Sequence, residues 1–562
     1  MSAPVYLDYA ATTPIDPAVA RAMSECLSST EAFGNPASLT HPFGRYAAAR
    51  VEHARAQVGA LIGAQPEEIL FTSGATESNN LALLGCARAN ADRGRHVITS
   101  RIEHKAVLDP CRHLEKEGFR VTYLDPDRQG RIAPQAVRAA VCPDTVLVSI
   151  MSANNEVGVI QDLAAIGAIC RERDIVFHTD AAQAAGKIPL DVQRLPVDLL
   201  SWTAHKLYGP KGIGALYVRR GARGALQAIT FGGGQERDLR PGTLPTHQIV
   251  GMGIACELAG KLRSTEAVRL RALRDRLCQE IALVGDVCVN GEGAPCLPGI
   301  LNVSVVGVEG ESLVTGLEEL AVSTGSACNS ASAEPSYVLR ALGRDSQLAQ
   351  SSLRFSLGRF TTEADIDIAA VAVRREVTRL RAASPRYARS HHGAGGPSDG
   401  QDAPRGNSSE PSGAPLGAPQ AAPNRGPEAP ALSGLSEAPS TLGSLARHYF
   451  RALPGAGSLA GMAGVLFGEA GCQTEGTWVR FSLLMGGDIV KDARFESYGC
   501  PHTLAVAAWL TAQLPGRTLA ALAPGAPAQW ARALEVPVEK LGRLLVIEDA
   551  LQACLQSQPR DA

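Results

Sequence analysis

Two neighbouring stretches decide the fold of this chain: FHTDAAQAAGKIPL at 177–190 and LLSWTAHKLYGPKGIGAL at 199–216. Each begins in a hydrophobic run. The first run, 175–177, is followed by three polar residues of which Asp180 is the last, and the second is followed by Lys206 and a glycine-rich turn. Short apolar runs that end in polar residues are typical of buried strands in an open α/β sheet, whose strand ends bind ligands. We therefore expect a carboxylate and an amine at adjacent strand ends.

An aspartate beside a lysine is the pairing that pyridoxal 5'-phosphate (PLP) requires. The lysine forms a Schiff base with the cofactor, and the aspartate keeps the pyridinium nitrogen protonated so that the ring withdraws electrons. Thr203 and His205 flank Lys206 and are expected to lie around the same cofactor. Taken alone, the pair leaves open a helix-capping Asp180 and a surface lysine.

The segment ILFTSGATE at 69–77 predicts a strand, a glycine turn and the start of a helix. A helix start presents free backbone N–H groups and the positive end of the helix dipole, which together bind phosphate. We predict that Ala75 and Thr76 form the phosphate cup of the cofactor, with the threonine hydroxyl as an additional donor. An ordinary helix cap is the alternative for this segment alone.

Composition limits the classes of function that the chain can have. Its 562 residues predict two or three domains, and the formal charge of −2 gives no reason to expect a nucleic-acid partner. No apolar run is long enough for a membrane span, and the N-terminal segment has neither the basic nor the apolar region of a signal peptide. The 13 cysteines have no regular spacing, which favours reduced thiols and a cytoplasmic location.

The segment SWTAHKLYGPKGIGALYV at 201–218 resembles the lysine segment of cysteine desulfurases of the NifS/IscS type, and the resemblance extends through most of residues 1–380. It implies an α/β, fold-type I PLP-dependent transferase that forms an obligate homodimer. The large parallel-sheet domain is expected at 1–260 and a small lobe at 261–383. The resemblance also implies roles for single residues. His104 would stack on the cofactor ring and transfer protons, and Asn155 would contact the substrate carboxylate. Gln183 would hydrogen bond with the cofactor's phenolic oxygen, and Thr243 would complete the phosphate site of the other protomer.

The loop TGSACNSASAEPSYVLRALG, which begins at residue 324, places Cys328 among small residues. The thiolate is a good nucleophile even as a minor species. The loop resembles the persulfide-carrying loop of the same family, so Cys328 is expected to accept the substrate's sulfur and to hold a transient cluster or metal. Downstream, Arg354 resembles the arginine that clamps the substrate's α-carboxylate in a bidentate manner.

Composition changes at residue 384. Residues 384–440 contain 10 Pro and 9 Gly among 57 positions, which is the composition of a linker. The segment 441–562 then resembles the IscU/NifU-type iron–sulfur scaffold, a small α+β domain. The resemblance includes ARFESYGC, which ends at Cys500 and leads into an apolar helix, and Cys472, which occupies the position of the scaffold's first cysteine.

Two expected ligands of that scaffold are missing. Thr474 stands at the position of its aspartate, and Arg543 stands at the position of its third cysteine. A four-ligand cluster site is therefore not present as in the family. Glu475 or His502 could substitute. We expect at best a labile iron–sulfur cluster, with Cys472 and Cys500 as its ligands, and a domain that only docks or accepts sulfur stays equally open.

Together these observations predict a PLP-dependent cysteine desulfurase. It would convert L-cysteine to L-alanine, leave the sulfur as a persulfide on Cys328, and deliver it to a fused scaffold-like domain or to other sulfur acceptor and scaffold proteins. A selenocysteine lyase, an aminotransferase and a catalytically idle assembly platform are the alternatives. The cysteine loop argues against the first two, and the set of Lys206, Asp180, His104 and Cys328 argues against the third.

Overall fold

The computed structural model describes residues 3–28, 33–324, 335–384, 442–522 and 525–557. The chain folds as two compact units. One comprises Pro4–Leu380, and the other is built mainly from the residues after 441. Cys328 and the predicted linker beyond Ser384 lie outside the described residues.

The first unit alternates strands and helices. Its strands are β1 Val5–Tyr6, β2 Ile69–Thr72, β3 His96–Ser100, β4 Arg120–Leu124, β5 Thr145–Ser149, β6 Val176–Asp180, β7 Leu199–Thr203, β8 Gly214–Val218, β9 Val287–Val289, β10 Ile300–Val305, β11 Leu320–Ala321 and β12 Ser352–Ser356. Its helices are α1 Pro17–Ser28, α2 Pro42–Ala60, α3 Ala75–Ala89, α4 Lys105–Lys116, α5 Pro134–Ala140, α6 Leu163–Glu172, α7 Thr246–Ala282, α8 Gly310–Gly316, α9 Tyr337–Ala341, α10 Ser346–Gln350 and α11 Glu363–Ala382.

The central sheet has seven strands in the order β2-β8-β7-β6-β5-β3-β4. The strands from β7 to β4 pair in parallel, as the sequence predicts, whereas β8 is antiparallel to both β7 and β2. The sheet is therefore mixed and not wholly parallel. The reason is the connection at 204–213, since a parallel return needs a crossover of a dozen or more residues.

Both faces of this sheet are covered. Ile69 and Phe71 of β2 belong to one buried cluster, together with residues of α2, α6 and α7, whereas Leu70 belongs to a second cluster with residues of α3 and α4. Side chains alternate between the two faces of a strand, so a strand buried on both faces is hydrophobic throughout. Ligand access is left at the strand ends.

The smaller lobe contains a three-stranded antiparallel sheet in the order β12-β10-β9. Helix α7 is 37 residues long and continues through residue 260, the predicted end of the large domain. The N-terminal segment connects the lobe to the site, because the amides of Tyr9 and Ala10 donate to the backbone oxygen and hydroxyl of Ser356.

The second unit contains a three-stranded sheet in the order β13-β14-β15 and four helices among the described residues. Its elements are α12 Ser444–Ala452, β13 Val465–Cys472, β14 Thr477–Gly486, β15 Ile489–Tyr498, α13 Pro501–Thr511, α14 Pro527–Ala533 and α15 Leu541–Gln556. The predicted hairpin of β14 and β15 and the helix that follows Cys500 are both present. Among the described helices, none has the length and apolarity needed to cross a bilayer.

Candidate active site

A cavity of about 710 Å³ lies at the carboxyl ends of the parallel strands. Most of the residues that the sequence predicts for the site line it together. They are Ala75, Thr76, His104, Asn155, Asp180, Gln183, Thr203, His205, Lys206 and Arg354. Because these residues span nearly 280 positions of the chain, their convergence on one cavity supports a single site rather than separate structural roles.

Asp180 is the last residue of β6, and Lys206 lies in a short 3-10 turn directly after β7. These strands are parallel neighbours, with Asp180 opposite Ser201. The carboxylate of Asp180 is buried and held on both oxygens, since Oδ1 accepts from the Ala182 amide at 2.8 Å and Oδ2 accepts from Asn79 Nδ2 at 2.7 Å. A carboxylate fixed in this way is suited to holding one protonated ring nitrogen.

Asn79 was not identified from the sequence. It is buried on α3, four residues after Ala75, and therefore on the same helix face as the predicted phosphate cup. That spacing is a signal that could have revealed it. Helix α3 itself begins at Ala75 with Gly74 as its N-cap, as predicted, and both residues line the cavity.

Gln183 and Lys187 form a second hydrogen-bonded pair beside the site. Gln183 Nε2 donates to the backbone oxygen of Ala10 at 2.8 Å, and Lys187 Nζ donates to Gln183 Oε1 at 3.1 Å. Desolvation, together with the charges of Lys206 and Arg354, lowers the pKa of Lys187 to about 7. No sequence pattern identified Lys187, because its lowered pKa depends on burial and on the proximity of two other cations.

Two histidines of the cavity are kept neutral. Burial, reinforced by Lys206, lowers the pKa of His205 to about 4, and its Nδ1 lies 3.1 Å from Thr12 Oγ1. Burial also lowers the pKa of His104, which caps α4 by accepting a hydrogen bond from the Ala106 amide at 3.1 Å. Because Nδ1 accepts from that amide, the neutral ring carries its proton on Nε2, and its flat face remains able to stack on a cofactor ring.

Arg354 and Asn155, the residues predicted to bind the substrate's carboxylate, are neighbours in the cavity. Arg354 is buried on β12; its Nη1 donates to the backbone oxygen of Asn155 at 2.9 Å, and its Nη2 donates to Asp8 Oδ1 at 2.8 Å. Within the described part of the chain, Arg354 Nε and Asn155 Oδ1 are buried without a hydrogen-bond partner. Of these two atoms, only Arg354 Nε is a donor that a carboxylate could accept from; the amide oxygen is an acceptor, so Asn155 would bind a carboxylate through Nδ2.

Glu103 is a further residue that sequence reasoning missed. Its side chain is buried directly before His104, with Oε1 accepting from Ser100 Oγ at 2.7 Å and from the Met151 amide at 2.9 Å. Desolvation raises the pKa of Glu103 to about 8. The carboxyl is therefore protonated at neutral pH and acts as a neutral hydrogen-bonding group beneath the site.

The remaining predicted residues lie elsewhere. Thr243 lines a different pocket, which it shares with Arg55 and Glu236, and Cys328 is outside the described residues. Cys472 is exposed at the end of β13, and Cys500 is buried as the N-cap of α13. In residues 442–522 and 525–557, no three His, Cys, Asp or Glu side chains are close enough to share a metal ion.

The residues of the cavity fit PLP. A lysine, a held carboxylate, a helix start and a buried arginine N–H without a partner converge on a space of suitable size. The fold and the cavity define a fold-type I PLP-dependent enzyme.

The comparisons with known proteins agree with this class. Residues 5–368 match the aminotransferase class-V family, and residues 454–560 match the NifU-like N terminal domain. The chain therefore belongs to the aminotransferase class-V family.

Its relatives are desulfurases. Cysteine desulfurase IscS of Tolumonas auensis and that of Pectobacterium atrosepticum are each 57% identical over 385 residues, which is 68% of this chain and 95% of theirs. A solved NifS-like protein is 36% identical with a TM-score of 0.62 and covers 67% of this chain and 100% of its own. A solved structure of SspA in complex with cysteine is 39% identical with a TM-score of 0.57 and covers 64% of this chain and 99% of its own.

Proposed function

We propose that the chain is a PLP-dependent cysteine desulfurase that delivers sulfur for iron–sulfur cluster assembly through its NifU-like domain. The single observation that carries the proposal is the convergence of Lys206, Asp180 and Arg354 on one cavity in a chain whose curated relatives are cysteine desulfurases. The similarity to SspA solved with cysteine supports L-cysteine as the substrate.

The chain's own residues divide the work of the reaction. Lys206 would hold PLP covalently, Asp180 would keep its ring nitrogen protonated, and the start of α3 at Ala75 would bind its phosphate. When bound, PLP supplies an electron sink for the bonds at the amino acid's Cα. Arg354 and Asn155 would fix the carboxylate and so orient the Cα–H bond.

Sulfur transfer is assigned to Cys328. Its thiolate attacks the sulfur of the bound cysteine, an S–S bond forms, the substrate's Cβ–S bond breaks, and the carbon skeleton leaves as alanine after protonation. His104 lines the cavity and would carry protons between these steps, a role that the resemblance to the family implies. The role of Cys328 rests on its sequence context, TGSACNSA, and on the family to which the chain belongs.

We also infer a homodimer in which Thr243 of each protomer completes the phosphate site of the other. In support, Thr243 does not line the cavity of its own chain, and the loop that carries it exposes Phe231 to 86%. A large exposed aromatic side chain is common where a protein surface meets a partner.

The product balance of the purified, PLP-loaded chain tests the proposal. With L-cysteine and a reducing thiol, we expect alanine and sulfide in equal amounts. An added keto acid should leave the yields unchanged, because the proposed reaction never passes the amino group to an acceptor. Formation of a new amino acid from that keto acid would instead identify an aminotransferase, and turnover restricted to selenocysteine would identify a selenocysteine lyase.

A further inference from the structure

A cluster of metal-binding side chains lies at the edge of the central sheet opposite to the active site. His96 is the first residue of β3, whereas His104 and the PLP cavity follow the other end of that strand. Cys142 and Asp144 lie in the loop that connects α5 to β5, which also begins at this edge. The donor atoms of His96, Cys142 and Asp144 all lie within 4.8 Å of one another.

We propose that His96, Cys142 and Asp144 form a zinc-binding site, with water as the fourth ligand. The donor set of one thiolate, one imidazole and one carboxylate is typical of zinc. Tetrahedral zinc with the usual bond lengths places its donor atoms roughly 3.4–3.6 Å apart. His96 Nδ1 lies 3.0 Å from Cys142 Sγ, so movements of a few tenths of an ångström would reach that geometry.

The hydrogen bonds around His96 prepare it as a ligand. Its ring is fully buried, and Nε2 lies 2.8 Å from Thr122 Oγ1, the atom to which an Nε2–H would donate. This tautomer leaves the lone pair of Nδ1 facing Thr145 Oγ1 at 2.7 Å and Cys142 Sγ at 3.0 Å, so zinc would replace the threonine hydroxyl as the partner of Nδ1. Metal-binding histidines usually have their other ring nitrogen held in this way by a neighbouring group.

The backbone also supports the cluster. The register of β3 and β5 shifts between His96 and Val97, which is a bulge at the start of both strands. Bulges redirect side chains and are common beside functional sites. Thr145 Oγ1 accepts from the Cys142 amide at 2.9 Å, which ties the loop to the first residue of β5.

Arg120 is the group with which zinc would compete. Its Nη2 lies 2.9 Å from Cys142 Sγ and 3.1 Å from Asp144 Oδ1, so the guanidinium supplies positive charge to the same two donors. Its side chain is 53% exposed and can turn into solvent when zinc binds and the thiol proton leaves to water. Cys142 and Asp144 therefore already attract a cation, and the presence of Arg120 lowers the affinity of the proposed site for zinc. Zinc bound there would link the first residue of β3 to the loop that connects α5 to β5.

The experiment measures alkylation of Cys142 in the full-length, PLP-loaded chain by peptide mass spectrometry, with and without zinc. At free zinc of about ten times Kd, the unliganded fraction is roughly one eleventh, so alkylation of Cys142 should slow about tenfold. Cys288, which is also half-buried, serves as an internal control in the same sample and should react at an unchanged rate. Mapping single peptides separates this site from zinc held by other cysteines of the chain.

Two variants complete the test. Asp144→Asn, at a half-exposed position with little risk to folding, should lose the protection. Arg120→Gln should reach the same protection at about tenfold lower zinc, because a competing cation has been removed. Equal alkylation of Cys142 with and without zinc would overturn the proposal, as would undiminished protection in Asp144→Asn.

Discussion

Arg354 Nη2 donates a 2.8 Å hydrogen bond to Asp8 Oδ1, and this pair places a carboxylate next to the group that is to bind the substrate's carboxylate. Both residues line the Lys206 cavity. If Arg354 binds the substrate's carboxylate as proposed, Asp8 should have two opposite effects on substrate binding. It would hold the guanidinium in place, and its charge would compete with that of the substrate.

Two substitutions at Asp8 separate these effects. Asp8→Asn keeps an acceptor for Nη2 but removes the competing charge, so the KM for L-cysteine should fall about fivefold, the equivalent of roughly 1 kcal/mol. Asp8→Ala removes the acceptor as well, and KM should rise about tenfold. Steady-state kinetics of alanine formation gives both values. If the two variants change KM in the same direction, the assignment of Arg354 to the carboxylate loses its support.

Lys206→Ala tests the covalent role of the lysine. We expect loss of the visible absorption of bound PLP and a decrease in kcat of at least about 10³-fold, since a group that acts covalently has no substitute. Circular dichroism should be unchanged, because Lys206 is half-buried in a short turn that lines the cavity and is not part of the hydrophobic core. Retention of wild-type turnover would reject the PLP assignment. Lys211→Ala, a lysine that lines the same cavity, is the matched control.

Cys328→Ser separates cofactor chemistry from sulfur transfer. The lysine, aspartate and arginine of the cavity do not depend on this thiol, so addition of L-cysteine should still change the absorption spectrum of the bound cofactor. Release of sulfide with a reducing thiol present should fall to background. The control is Cys256→Ser, a buried thiol whose pKa burial raises to about 12. Substantial sulfide release by Cys328→Ser would mean that another cysteine carries the sulfur.

We expect solvent exposure to decide which cysteine of the NifU-like domain accepts sulfur. The sequence favours Cys500 at a helix start, but its side chain is fully buried, whereas Cys472 is exposed and hydrogen bonds with Thr474 lower its pKa. The thiolate is the reactive form. After a pulse of L-cysteine, we expect mass spectrometry to find added sulfur on Cys472 before Cys500. The reverse order, or no added sulfur on either, would contradict an acceptor role for Cys472.

The composition of residues 384–440 predicts a linker, and we expect it to set the rate of that transfer. A module on such a linker has an effective concentration of roughly millimolar, so transfer should not depend on protein concentration. Cleavage within the linker should slow it by about 10²-fold at micromolar protein. An unchanged rate after cleavage would show that the two parts find each other without the tether.

Glu103 should make stability depend on pH. Its pKa is about 8 in the folded chain against 4.5 for an ordinary glutamate, so between these values the folded state binds more protons than the unfolded state. The free energy of unfolding from this group therefore falls as pH rises from about 4.5 to 8, by up to a few kcal/mol. Glu103→Gln should lessen that decline in denaturant titrations at pH 5 and pH 8. An identical pH dependence in the variant would contradict a protonated Glu103.

Much of the site could be predicted because its residues stand at strand ends with recognisable neighbours. Asp180, Lys206 and Ala75 follow apolar runs that period and length identify as strands, and each lies where expected. The scaffold hairpin was predictable for the same reason, since β14 alternates and a glycine turn follows it. Glu103 and Lys187 were not predictable, because their altered pKa values come from burial and from charges distant in sequence.

The sequence by itself determined the strand ends, the positions of Asp180 and Lys206 at those ends, and the family resemblance, since these depend on local pattern and on motifs of adjacent residues. Only the tertiary structure decided that β8 runs antiparallel, that Asp8 pairs with Arg354, and that His96 meets Cys142 and Asp144. Those outcomes depend on strand order and on loops that bring distant residues within a few ångströms. One-dimensional periodicity carries no information on such distances.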